Sequence, residues 1–421
     1  MIRPSLQRKL LFAWLYFSEG APIGFVWTAL PTQLRERGAP LEQITWLVAA
    51  LVVPWTFKFA WAPAVDLLQG RWWTLRHWIA AMQLAMGAAL LPLLWIDPAA
   101  NFPWLAGCLL VHAIAAATQD VAIDALCIAT TKAEEHGRIN GWMQSGMLLG
   151  RAVFGGGALM LAPLVGFQNV VVLLIAALWS SLVGLLVFGA APSHDGYVDQ
   201  VAETIRASWT RRAADVVAAA VDALRRRNTW LALAFALTAG AAYEGIGAVA
   251  GPLLIDVGFT SADVGYLMGV PVMAAMVLGS LWGGRTADRA DRRWAVARAT
   301  LCVVAAAVAV AACVAAQPLA ATFVVSVGLL PIAIVGLYFG IGLFVATSYA
   351  LFMDVASPRV AATQFSAAMG ATNACESWSV VAIGMLIGRL GYAPAILLMC
   401  VPTLFALPLL WPMRLERNES T

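Results

Sequence analysis

The stretch from Gln168 to Ala190 reads QNVVVLLIAALWSSLVGLLVFGA and contains no charged side chain. About 20 apolar residues in a helix cross the hydrocarbon core of a bilayer, so this stretch predicts a transmembrane helix. Runs of the same kind recur along the chain and are too long and too uniformly apolar for the alternating strands of a barrel. Twelve runs are found, at residues 10–34, 43–65, 77–96, 102–129, 139–165, 168–190, 229–255, 261–284, 295–316, 319–350, 360–387 and 391–412.

Composition supports the same fold class. Of 421 residues, 62% are hydrophobic and 12% are charged, whereas about a quarter of the residues in a soluble domain are charged. The sequence therefore predicts an all-α membrane protein surrounded by lipid bilayer. The six cysteines are scattered through apolar runs without a CxxC pair or a Cys/His cluster, so we expect no metal and no cofactor. The chain carries no motif for nucleic-acid binding.

A polar segment divides the chain into two equal sets of runs. We expect an N-terminal six-helix half at 1–190, a cytoplasmic linker at 191–228 and a C-terminal six-helix half at 229–421. If the N-terminus is cytoplasmic, 21 of the 26 Lys and Arg residues fall on cytoplasmic segments and three on outer loops. Since cytoplasmic loops are enriched in basic residues, this distribution predicts cytoplasmic termini and a multi-pass protein of the bacterial inner membrane.

The two halves share landmarks, as a parallel internal repeat does. Glu19-Gly20 in the first run corresponds to Glu244-Gly245 in the seventh, and Asp66 after the second run corresponds to Asp288 after the eighth. The offsets are 225 and 222 residues. Transporters are often built from such repeats around a central site, so the pattern favours a transporter.

A cytoplasmic sequence after the eighth run resembles a known family signature. From Gly284 it reads GRTADRADRR, similar to the G-x-x-x-D-R-x-x-R-R signature of major facilitator proteins. The resemblance implies a cytoplasmic gating motif formed by Gly284, Asp288, Arg289 and Arg292, with Asp66 as its degenerate first-half counterpart. We expect Asp288 to lie near a helix N-terminus or to pair with Arg289 and Arg292, which would latch one state of the protein.

Ionisable side chains inside apolar runs are costly in lipid and are therefore candidates for a substrate or proton pathway. Asp120 and Asp124 are four residues apart and share one helix face. Lys58 is expected to pair with one of them or to extend to the interface, and Arg151 is a candidate for binding an anionic group of the solute. Five acids and two bases suggest protonated carboxyls, a cationic solute or a proton path. The candidates for this pathway, which include the amide of Gln119 beside Asp120, are Glu19, Lys58, Gln119, Asp120, Asp124, Arg151, Glu244 and Glu376.

Three further motifs resemble one branch of these permeases. FKFAWAPAVD from Phe57, QDVAIDA from Gln119 and AEEHG from Ala133 are similar to motifs of the AmpG muropeptide permease and acetyl-CoA transporter branch. ALPTQLRERG from Ala29, with VPW from Val53, is also similar to single-subunit siderophore permeases. Both resemblances imply a permease for a bulky, polar small molecule.

The function expected from this resemblance is solute import by alternating access, driven by protons that move in the same direction. The solute would be a muropeptide or an acetyl-CoA-like compound, and a ferric siderophore is the alternative. A membrane receptor without transport is a further alternative. We expect no enzyme, because no nucleophile and base are paired near an interface. The fold implies a monomer.

Overall fold

The computed structural model describes residues 4–61, 65, 68, 73–96, 101–130, 136–188, 218, 221–222, 224–289, 291–316, 328–355 and 361–414. Within these ranges the backbone is helical or forms short turns, and no β-strand occurs. A helix satisfies its own backbone hydrogen bonds, which is what lipid requires of a spanning segment. Most of the expected linker, residues 191–217, lies outside these ranges.

Helices follow the apolar runs along the chain. Short π-helical segments at Phe25–Ala29 and Val153–Gly157 interrupt the first and fifth runs. The α-helices are α1 (Pro4–Gly24), α2 (Leu30–Glu36), α3 (Leu41–Phe57), α4 (Leu75–Leu90), α5 (Phe102–Thr130), α6 (His136–Ala152), α7 (Ala158–Val165), α8 (Phe167–Phe188), α9 (Arg227–Ala239), α10 (Ala241–Val257), α11 (Ser261–Gly269), α12 (Pro271–Arg289), α13 (Arg292–Ala316), α14 (Leu330–Val355), α15 (Ala361–Leu390) and α16 (Tyr392–Phe405).

Ten helical stretches of the described chain are long and apolar enough to cross a membrane. Two expected runs differ from the helices found. The run 43–65 is helical only to Phe57, where the backbone leaves α geometry (φ −104°, ψ 4°) and a 3-10 turn, Lys58–Ala60, follows. The run 319–350 contains α14, which begins at Leu330, and residues 317–327 lie outside the described chain.

The chain divides into two compact units. The first contains Met1–Arg37, Phe57–Arg212 and Ser261–Gly269, and the second contains Gly38–Thr56, Ala213–Thr260 and Val270–Thr421. The first unit therefore includes α11, which comes late in the chain. The second unit includes most of α3, which comes early.

Glycines bring α1 and α6 close together in the first unit. A Cβ added to Gly20 would lie 2.1 Å from the carbonyl oxygen of Met147, and one added to Gly146 would lie 2.0 Å from that of Ala13. Small residues allow such backbone approach between membrane helices. This contact fixes α1 against α6 at Gly20, the residue that follows Glu19.

The same device positions α11 in the first unit. A Cβ on Gly156 would lie 2.3 Å from the carbonyl oxygen of Gly265 and 2.4 Å from the Cα of Gly269. In the second unit, a Cβ on Gly384 of α15 would lie 2.0 Å from the Oγ1 of Thr45 on α3. Close packing against glycines, on backbone for α11 and on the Thr45 side chain for α3, therefore holds both helices.

Candidate functional site

Acidic side chains from α1 and α5 meet one lysine in the first unit. Lys58, on the 3-10 turn after α3, forms an ion pair with Oδ2 of Asp120 on α5. The side chain of Asp120 is only 9% exposed and that of Lys58 is 34% exposed. The side chain of Asp120 is therefore almost completely shielded from solvent, whereas that of Lys58 is partly accessible to solvent.

Glu19 approaches the same site from α1. Its residue is 3% exposed, and its carboxyl group lies close enough to that of Asp120 for the two to interact electrostatically. The second oxygen of Glu19, Oε2, has no hydrogen-bond partner among the described residues. Two neighbouring carboxylates withdrawn from water repel each other, and a proton on one of them removes that repulsion.

Asp124, one turn after Asp120, is bound by a residue that sequence reasoning missed. The hydroxyl of Tyr16 donates a hydrogen bond of 2.7 Å to Oδ1 of Asp124. Tyr16 precedes Glu19 by three residues, so both side chains lie on the same face of α1. That spacing was the available signal, but a tyrosine in an apolar run does not stand out as a site residue. We call Tyr16, Glu19, Lys58, Asp120 and Asp124 the acidic cluster.

The other two candidates of the first unit are Gln119 on α5 and Arg151 on α6. Gln119 is completely buried on α5, and neither its Oε1 nor its Nε2 has a hydrogen-bond partner among the described residues. Arg151 is half-buried in the last turn of α6. Its guanidinium makes no hydrogen bond to the acidic cluster within the part of the chain that the structure describes. The structure therefore separates Arg151 from the lysine–carboxylate contact.

The candidates of the second unit also lie near each other. Glu244 is in the first turn of α10 and is hydrogen-bonded to Tyr243. Glu376 is half-buried on α15, next to Cys375. Both carboxyl groups are close enough to Cys375 to act on its thiol electrostatically. Tyr243 and Cys375 are further neighbours that the sequence did not indicate.

The basic motif, which runs from the last turns of α12 to the start of α13, has a partner at the end of α14. Nε of Arg292 donates a hydrogen bond of 2.7 Å to Oδ2 of Asp354, forming an ion pair between α13 and α14. Gly284 is half-buried and Arg289 is exposed. Asp66 and the side chain of Asp288 lie outside the described part of the structure. The sequence suggested Asp288 as the partner of Arg292 and did not single out Asp354, which is 62 residues away.

Sequence comparison gives relatives among permeases. The chain is 27% identical over 289 residues to the anhydromuropeptide permease of Escherichia coli (strain K12), an alignment that covers 66% of this chain and 55% of the relative. It is 22% identical over 269 residues to the putative transporter AmpG 4 of Rickettsia felis, covering 63% of this chain and 64% of the relative. The chain thus spans roughly half to two thirds of the length of these curated relatives.

Solved structures share the fold at low sequence identity. A crystal structure of a D-xylose-proton symporter superposes with a TM-score of 0.75 at 9% identity, covering 99% of both chains. A bacterial homologue of the human lysosomal transporter Spinster, in an inward-facing and unoccupied conformation, gives a TM-score of 0.66 at 12% identity and covers 96% of this chain and 95% of that chain. The family model of the Major Facilitator Superfamily matches residues 12–381. The chain is therefore a multi-pass membrane protein that belongs to the Major Facilitator Superfamily.

Proposed function

We propose that this protein is a secondary active transporter that imports an anhydromuropeptide or a chemically similar solute across the bacterial inner membrane, together with protons. The buried acidic cluster is the observation that carries the proton-coupled part of the proposal. The likeness to a permease for anhydromuropeptides supports the solute class. The acetyl-CoA-like solutes that the sequence motifs suggest share its size and polarity, and they enter the test below.

The proposed topology has twelve membrane helices with both termini in the cytoplasm. Ten helical stretches meet the length and hydropathy that a span needs. The other two would be α3, an apolar helix of 17 residues, and α15, which has 30 residues. The basic residues on the cytoplasmic side of this topology support it, because they follow the charge rule for inner-membrane proteins.

The charges of the acidic cluster favour a proton-binding role. Glu19, Asp120 and Asp124 are three carboxyl groups facing the single ammonium of Lys58. An unpaired charge at membrane depth costs several kcal/mol, so the cluster is most stable when it also holds a proton. The contact between Glu19 and Asp120 gives that proton a place.

Protonation would also change the contacts of Lys58. A carboxylate attracts the ammonium strongly in a poorly hydrated site, whereas a neutral carboxyl group attracts it weakly. A proton that moves onto Asp120 would therefore release Lys58, and the loss of the proton would restore the pair. Because Lys58 follows α3 and Asp120 lies on α5, making and breaking this pair biases two conformations of the first unit, as alternating access requires.

Uptake into proteoliposomes tests this function. Radiolabelled anhydromuropeptide, acetyl-CoA and a ferric siderophore are offered separately, with and without an inward proton gradient. We expect saturable accumulation of anhydromuropeptide that requires the gradient and disappears with a protonophore. Uptake of acetyl-CoA alone or of the siderophore alone would refute the proposed solute, and uptake that ignores the gradient would refute proton coupling.

Amide variants of the acidic cluster test its role. Glu19→Gln and Asp120→Asn keep the size of the side chain but remove the acid, and we expect both to abolish gradient-driven accumulation. Glu42→Gln is the matched control, because Glu42 is an exposed acid in the first turn of α3. Wild-type accumulation in both cluster variants would remove these carboxyl groups from the mechanism.

A further inference from the structure

A line of buried polar side chains continues from the acidic cluster into the middle of the first unit. Ser18 and Gln83 are completely buried, and Nε2 of Gln83 donates a hydrogen bond of 3.4 Å to Oγ of Ser18. The hydroxyl of Ser18 in turn donates to the carbonyl of Leu15. Ser18 precedes Glu19 on α1, so this bond joins α4 to α1 at the level of the acidic cluster.

His112 lies at the other end of this line. Its residue is 3% exposed, and Nδ1 lies 3.0 Å from the carbonyl oxygen of Met86 on α4. A carbonyl can only accept, so Nδ1 carries the hydrogen of the neutral ring and Nε2 carries a lone pair. Met86 is one helical turn after Gln83, and His112 precedes Asp120 by eight residues, about 12 Å along the axis of α5.

Several atoms along this line lack a hydrogen-bond partner within the described chain. They are Oε2 of Glu19, Oε1 of Gln83, Nε2 of His112, Oε1 and Nε2 of Gln119 and Nε1 of Trp179. Gln119 follows His112 by seven residues, so both lie on one face of α5. Trp179 touches the same part of α4, because a Cβ on Gly87 would lie 2.2 Å from its Nε1. We call these residues, together with Ser18, the polar seam.

Buried polar groups without any partner are rare, and ordered water satisfies most of those that no protein atom reaches. The seam offers both acceptors and donors, so a water molecule can accept from Trp179 or Gln119 and donate to Gln83 or His112. His112 and Gln119 are about 10 Å apart along the axis of α5, so several waters in a row are needed to bridge them. The unpartnered atoms therefore fit a file of water between α1, α4, α5 and α8.

We propose that a chain of buried water molecules occupies the polar seam and that His112 passes protons along it to Glu19. This inference rests on the proton coupling proposed above and assigns the protons a route separate from the solute. Nε2 of His112 accepts a proton from a hydronium ion and releases it from the same nitrogen to the next water. Nδ1 keeps its hydrogen throughout and donates it to the carbonyl oxygen of Met86, and no electrons are exchanged.

Among the described residues, the titratable side chains towards the far end of α5 are His112 and the thiol of Cys108, four residues before it. Tyr16, Glu19 and Lys58 contact Asp120 and Asp124. Arg8 on α1 donates to the carbonyl of Thr130 at the end of α5, and His77 contacts Thr74 at the start of α4, where Arg76 also lies. The sequence of α8 contains no ionisable side chain.

Two variants separate proton passage from folding. His112→Asn keeps a donor for the carbonyl of Met86 but removes the basic Nε2, and Gln83→Met removes the polar end at similar size. We expect His112→Asn to lose accumulation of anhydromuropeptide driven by a proton gradient by about a hundredfold, as the loss of a proton-transfer group does. Gln83→Met, which removes a hydrogen-bonding group for the water, should lower it in the same direction. Exchange of the same solute at equal pH, which needs no net proton movement, should stay at the wild-type level. His77→Asn, at an exposed histidine, is the matched control.

Equal loss of accumulation and exchange in both variants would show a structural role and overturn the proposal, as would wild-type accumulation in both. A wild-type protein whose uptake ignores the proton gradient would instead refute the proposed function. The water chain has its own test that needs no solute, namely an experimental structure in which ordered water is visible. We expect water within hydrogen-bonding distance of Oε1 of Gln83 and Nε2 of His112, and empty density at both atoms would overturn the inference.

Discussion

Replacing Lys58 with Met should destabilise the protein more than replacing Asp120 with Asn. In Lys58→Met, the carboxylate left behind is 9% exposed and also contacts Glu19. Removing one partner of a buried ion pair costs about 3 kcal/mol. In Asp120→Asn, the ammonium left behind is 34% exposed. It can turn towards solvent, so the cost should be close to that of a surface pair, about 1 kcal/mol.

The double variant makes this reasoning quantitative. With both charges removed, no unpaired ion remains, and we expect the loss of stability to fall to about 1 kcal/mol, roughly 3 kcal/mol below the sum of the single variants. Unfolding in mixed micelles, titrated with a denaturing detergent and followed by tryptophan fluorescence, measures the free energy of unfolding. Equal losses in the two single variants, with additivity in the double variant, would refute the pairing and its asymmetry.

Three further predictions follow from single contacts. Gly20→Ala forces a Cβ into the backbone of α6 and should lower the free energy of unfolding by about 2–3 kcal/mol. Gly107→Ala, whose added Cβ meets no atom within 4 Å, should leave that free energy unchanged. Equal thermal midpoints for the two variants would contradict this. Tyr16→Phe removes a hydrogen bond to the carboxylate of Asp124 and should lower the free energy of unfolding by about 1.5 kcal/mol, measured by the same detergent titration. An unchanged free energy of unfolding would show that water replaces the bond. Arg292→Gln and Asp354→Asn each break the ion pair between α13 and α14. We expect slower uptake in both single variants and no further loss in the double variant. Additive losses of uptake would mean that the two residues act separately.

The helices were largely predictable because each apolar run is a local property of the chain. Hydropathy located most helix ends within a few residues. It was wrong about residues 58–60, where the α-helix ends at Phe57 and a 3-10 turn that begins with Lys58 follows. The candidate acids were also visible, since a charge in an apolar run stands out. The partners of those charges were harder to identify. Tyr16 and Asp124 are 108 residues apart and Arg292 and Asp354 are 62 apart, and no periodicity in one sequence encodes such a pairing.

Gln83, Trp179 and the polar face of His112 show the same limit. Each is an uncharged side chain within an apolar run, which the sequence alone treats as a small loss of hydropathy. Their meaning comes from the neighbours that α1 and α4 bring to them. The assignment of α11 to the first unit and α3 to the second was not predictable either, because it depends on glycine contacts between segments that are far apart along the chain.

The position of α11 has a consequence for biosynthesis. The glycine surface at Gly156 and Gly157 leaves the ribosome 112 residues before the end of α11 at Gly269 (269 − 157). At about 5–20 residues per second, that interval lasts about 6–22 s. During this time the nascent first unit presents its glycine surface to lipid or to an insertion factor, since its own partner helix has not yet been translated. Assembly of this unit in the cell is therefore completed late, after more than half of the chain has been made.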